Sequence, residues 1–197
     1  MALVTRSRRI DCRGQWLSLL LAWTLINGLL NGPLTAAALT EYEVKAGFLY
    51  HFGWFVEWPG TTDQGRAPAF TIGVLGTHPF GSALDDIMRG KSIGERPVVI
   101  QYYQRVEEAV SSHILFISAS EEKWLPAILS ELGEASVLTV SDMERFTERG
   151  GMIALRLAGQ KVRFDINMDA AERAGLKLSS QLLRLARVIH GPRPLRE

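Results

Sequence analysis

Four histidines are the first side chains to test for chemistry: His51, His78, His113 and His190. None stands at a metal-ligand spacing such as H-E-x-x-H, and the single cysteine, Cys12, lies near the start of the chain. No zinc-type donor set is predicted. His51 falls on the apolar side of an expected helix and His113 opens an expected buried strand, so both read as structural. Gly90-Lys91-Ser92 ends like a phosphate-binding loop. Asp85 stands where that motif needs its first glycine, and the segment follows a helix rather than a strand. Ser120-Glu121-Glu122-Lys123 matches S-x-x-K, the nucleophile motif of penicillin-recognising enzymes, with no S-D-N or K-T-G partner anywhere. A helix cap explains Ser120 more simply. The sequence therefore predicts no catalytic residues, no metal and no cofactor.

What remains lies in loops. Open α/β sheets bind ligands beyond the carboxyl ends of their strands. Here those ends carry Gly76, Thr77 and His78 after the first strand, Ser118 and Ser120 after the third, and Ser141 and Asp142 after the fourth. Exposed amides at helix starts suit a small anion; the same residues also serve as caps without any ligand.

The elements that would position these loops follow from pattern. Thr40-Glu41-Tyr42-Glu43 is a capping box opening a helix that runs to about Glu57, before Pro59. This helix is apolar around most of its girth, where a surface helix needs only a stripe. It is either buried on two sides or it meets a partner, and Tyr50, Phe52 and Trp54 are the candidates for a partner or dimer surface. Strands are expected at 70–75, 98–103, 113–117 and 137–140, with helices starting near Pro79, at Ser120 and at Ser141. Strands at 152–157 and 161–166 form a hairpin around Ala158-Gly159-Gln160, with Lys161, Arg163 and Asp165 on its wetter side. Asn167 caps a short helix ending at Gly175. Leu178, Leu182, Leu185 and Ile189 predict a final helix over 176–189, closed by Gly191 and Pro192. Alternating strands and helices predict a three-layer α/β/α, Rossmann-like domain, mostly parallel, with the late hairpin as an antiparallel edge.

The chain has 197 residues, 47% of them hydrophobic and 22% charged, which is enough for one core and excludes a disordered or collagen-like chain. A net charge of +1 gives no footprint for nucleic acid. The first 38 residues differ: Arg6, Arg8, Arg9 and Arg13 form a basic head, Trp16 to Ile26 is nearly all apolar, and Ala36-Ala37-Ala38 supplies a cleavage site. This is the pattern of a secretory signal, cut after Ala38, which leaves one domain at 39–197 that does not span the membrane. The mature chain then lacks cysteine, and thiol redox control of its own is excluded.

Several blocks carry a resemblance. Val44-Lys45-Ala46, Phe48-Leu49-Tyr50 and Trp58-Pro59 resemble the opening of the YfiR family. So do Pro79-Phe80-Gly81, His113 to Ser118, Val137 to Asp142, Gly150 to Ile153, Phe164 to Asn167 and Leu176 to Leu183, in order. The resemblance implies a periplasmic regulator that binds the sensor region of an inner-membrane diguanylate cyclase and represses it. Cyclic di-GMP and biofilm would then come under its control, and the resemblance also implies a homodimer. Ser112 stands where members often carry a cysteine, and His78 where an acidic cap is expected. The rival readings are a periplasmic small-ligand-binding module, serving a sensor kinase or transport system, and a hydrolase using Ser120 and Lys123.

Overall fold

A computed structural model of the chain describes residues 39–59 and 69–189. The expected leader at 1–38 and the helix stop at Gly191 and Pro192 lie outside the described residues. Helix α1 (Glu41–Phe55) begins as its sequence demands: the Thr40 side chain accepts from the Glu43 amide, and Glu43 accepts from the Thr40 amide. A short strand β1 (Val56–Glu57) follows.

The central sheet starts with β2 (Phe70–Leu75). It continues through α2 (Ala83–Met88), β3 (Ser92–Ile93), β4 (Arg96–Tyr103), β5 (Ile114–Ile117), α3 (Leu125–Leu132) and β6 (Leu138–Ser141). The hairpin β7 (Ile153–Ala158) and β8 (Lys161–Asn167) comes next. The described residues end in α4 (Met168–Arg173), β9 (Lys177–Leu178), α5 (Ser180–Leu185) and β10 (Arg187–Ile189). Strand order is β10-β8-β7-β6-β5-β2-β4-β3, and β1 pairs separately with β9. From β4 through β2, β5 and β6 to β7 every pairing is parallel. This is a mixed, mostly parallel α/β sheet, as predicted.

Burial shows why both faces are covered. Strands β5 and β6 are buried at every position. Ile114 and Phe116 of β5 join the core beneath α1, with Phe52 and Phe70. The alternate residues Leu115 and Ile117 join a second core with Leu125, Ile128 and Phe146. Period-two alternation of apolar side chains thus fills two layers from one strand.

Four expectations are corrected. The 176–189 segment is not one helix, because its ends are taken by non-local pairing: Leu178 pairs with Val56, and Arg187 to Ile189 run parallel to Asp165 to Asn167. The hairpin is therefore not the sheet edge; β10 lies outside it. Residues 79–82 form turns, and α2 starts only at Ala83. Residues after Ser141 also form turns rather than a helix, closed by the Met143 amide donating to Ser141 Oγ at 3.2 Å.

Candidate functional site

The chain leaves β2 for β4 on one side, then returns for β5 on the other. That reversal makes the crevice above β2 and β5 the topological switch point of the sheet. Gly76, Thr77, His78, Gln104, Ser120 and Glu121 line an open depression of about 410 Å³ there. The loop residues expected after the first and third strands do meet. The Thr77 amide donates to Ser120 Oγ at 3.1 Å, and the Thr77 and Ser118 hydroxyls lie 3.0 Å apart. Ser120 in turn donates to Glu121 Oε1 at 2.9 Å. His78 packs against the Tyr102 ring, 4.9 Å between centroids. Tyr102 donates to Asp85 at 2.6 Å, and burial, with that carboxylate beside it, pushes its hydroxyl pKa upward. Thr77, Ser118, Ser120 and Glu121 thus spend polar groups on one another.

Ser141 and Asp142 belong elsewhere. Ser141 is fully buried and donates to the Ile117 carbonyl at 2.6 Å, tying β6 to β5. Asp142 faces a larger cleft of about 480 Å³ between the start of α1 and strands β7 and β8. Lys45 Nζ lies 2.6 Å from both Asp142 and Glu41, and Tyr42 donates to Asp142 at 3.0 Å. Burial works against the Lys45 ammonium, yet these bonds hold its pKa above the ordinary lysine value. Across the cleft, Asp165 accepts from Arg156 at 3.0 Å and Arg187 at 2.7 Å. Arg145, in the same cleft, has φ 55°, the only positive φ outside glycine among the described residues.

Sequence reasoning missed Lys45, because its partner is 97 residues away. It placed Asp165 on a wet side, but Asp165 is buried, covered by the two arginines. An acidic residue amid bases in a strand, with more arginines downstream, was the available signal.

Of the candidate surface on α1, Phe52 is corrected: it is fully buried and packs edge-on against Phe164 at 5.4 Å. Tyr50 is half-buried and donates to the Ser92 carbonyl at 3.0 Å. Trp54 is 53% exposed. His51, expected on the apolar side, is exposed as well.

The model of a family described as YfiR/HmsC-like matches residues 42–187. The chain belongs to this family. YfiR/HmsC-like membership supports a periplasmic, regulatory role. Among the described residues no helix is long and apolar enough to cross a membrane. A solved structure of a conserved domain protein from Vibrio cholerae O1 biovar El Tor strain N16961 shares the fold. It has a TM-score of 0.50 and 12% identity, over 76% of this chain and 60% of that protein. The ABC domain in complex with L-Trp from Streptococcus pneumonia is more distant. Its TM-score is 0.43 at 13% identity, over 60% of this chain and 55% of that one. The YfiR-like chain thus spans about three fifths of the Vibrio protein.

Proposed function

We propose that this chain is an exported regulator that docks on the periplasmic sensor region of an inner-membrane diguanylate cyclase and represses it. Release of the cyclase raises cyclic di-GMP and favours biofilm. The observation that carries this reading is the YfiR/HmsC-like match across 42–187, which spans every strand of the central sheet but the last two residues of β10. The regulator acts as a homodimer, after a leader is removed at Ala38. Trp54, with the accessible part of Tyr50, belongs to the docking or dimer surface, since an indole left half in water beside the exposed His51 suits a partner. Deleting the gene should raise cellular cyclic di-GMP, and re-expression should restore it. A deletion strain with unchanged cyclic di-GMP in every growth condition counts against the reading.

A second reading is favoured by the switch-point crevice alone. The loops bearing Gly76, Thr77, His78, Ser118 and Ser120 would take a small ligand for a sensor kinase or transporter; Ser141 and Asp142, expected beside them, lie outside this crevice. A ligand that binds only the folded state raises its melting temperature. A panel of nucleotides, amino acids and tetrapyrroles that leaves it unmoved removes this reading.

A further inference from the structure

Charge is segregated along this chain. Residues 39–152 hold nine Lys and Arg against sixteen Asp and Glu, whereas residues 153–197 hold nine against four. The fold gathers part of that basic excess on one face. Arg156 pairs with Arg163 across the β7–β8 hairpin, and β10 sets Arg187 opposite Asp165. Paired residues share a side of the sheet, and alternate residues return to it. Arg156, Lys161, Arg163 and Arg187 therefore surround Asp165 on one side of three adjacent strands. Asp165 anchors two of these guanidiniums. Lys161 and Arg163 are exposed, and neither makes an ion pair among the described residues.

The hairpin also projects. Strand β7 is buried through Leu155 and exposed from Arg156 to its end. Leu157, on the opposite side of the ribbon, is 53% exposed, and Leu185 and Val188 on the adjoining α5 and β10 are exposed too. Acidic groups face the cations across the cleft. Of these, Glu41 and Asp142 are held by Lys45 and Glu148 by Arg145, while Glu144 is exposed.

We propose that this hairpin docks the protein on an anionic phospholipid surface. Guanidiniums pair with phosphate through two parallel hydrogen bonds. A headgroup layer accepts charge and a few aliphatic tips together. An acidic protein surface would match the cations alone, whereas a headgroup layer entered by the projecting end of the ribbon also takes Leu157 on its other side. The buried Asp165 fixes Arg156 and Arg187 in place, so the surface is formed before contact.

The test is sedimentation with vesicles of 70:30 phosphatidylcholine:phosphatidylglycerol, against pure phosphatidylcholine, in low salt. The protein is purified from expressing cells and its N-terminus read by mass spectrometry. Each surface cation is worth roughly fivefold in binding, so K161A/R163A should lose about thirtyfold. Both residues are exposed, and an unchanged circular dichroism spectrum checks the fold. A control, R89A/K91A on the far side of the sheet, should bind as the parent does. Loss of the preference at high salt supports the proposal. Equal binding to both vesicles, or unchanged binding by K161A/R163A, overturns it. So does binding to polyglutamate without binding to the vesicles, which would name an acidic protein, or salt-sensitive self-association without it, which would name a second copy. The readout needs no cyclase, so its failure is separable from that of the regulatory reading.

Discussion

His113, just before β5, sits where the uncharged ring is favoured, and that makes stability depend on acid. Its ring stacks on Phe70 at 4.4 Å between centroids, with the Trp58 ring at 5.8 Å. The Thr71 amide donates to Nδ1 at 3.2 Å, and Arg96 Nη1 lies 3.0 Å from Nε2. A neutral imidazole has one acceptor nitrogen and an imidazolium has none. Protonation therefore removes an acceptor and sets a second cation beside Arg96. Burial first, then Arg96, lowers the pKa from 6.5 to about 4. The unfolded chain binds more protons than the folded one between these values, so stability rises with pH across that window. The contribution is complete above about 6.5 and is lost as pH falls towards 4. The full difference is at most about 3 kcal/mol. The ring is partly open to solvent, which reduces it to ~1–2 kcal/mol. Urea unfolding at pH 7.5 and 4.5 should show the parent losing that much more than His113→Asn, whose amide oxygen still accepts from Thr71. Parallel losses in the two proteins, or a larger loss in the variant, refute the argument.

Other substitutions test other parts of the structure. Phe52→Ala should cost about 3–5 kcal/mol in denaturant unfolding, because its ring is fully enclosed, while Trp54→Ala should cost under about 1 kcal/mol. Lys45→Met leaves the half-buried Asp142 carboxylate with only the Tyr42 hydroxyl and should cost about 1–3 kcal/mol, partly recovered in Lys45→Met/Asp142→Asn. A methyl group at Gly151 would stand 2.2–2.4 Å from three Phe146 ring atoms, so Gly151→Ala should lower the melting point by an overpacking cost of about 1–3 kcal/mol.

Much of this fold was legible because its strongest signals are local. The Thr40–Glu43 box and the Asn167 cap need only neighbours, and both form. Uninterrupted runs such as Ile114–Ile117 have nowhere to go but a covered sheet. The last segment misled for the converse reason. Its leucine spacing suits a helix, and Leu185 on that stripe ends 67% exposed. Ser179 is the true cap, accepting from the Leu182 amide, and was readable as a start signal inside the expected helix. The β-branched Val188 and Ile189 then join β8, an outcome decided by a strand more than twenty residues earlier. The candidate site divides in the same way. The loops after β2 and β5 converge because parallel topology requires it, whereas Lys45 and Asp142 meet only through tertiary packing.

The geometry also bears on what kind of function this scaffold can serve. A ligand entering the switch-point crevice must displace Ser120 Oγ from the Thr77 amide and separate the Thr77 and Ser118 hydroxyls. Approach to the Gly76 backbone is filled too, since Ser120 Oγ and Glu121 Oε1 lie where a side chain would stand. Each displaced bond must be replaced by one at least as good, or the crevice stays closed. No such rearrangement is needed at Trp54 or along the β7–β8 hairpin, where the indole and the cations already stand in solvent. A protein that acts by contact can use those surfaces as they are, and for that reason docking is the reading this fold serves at least cost.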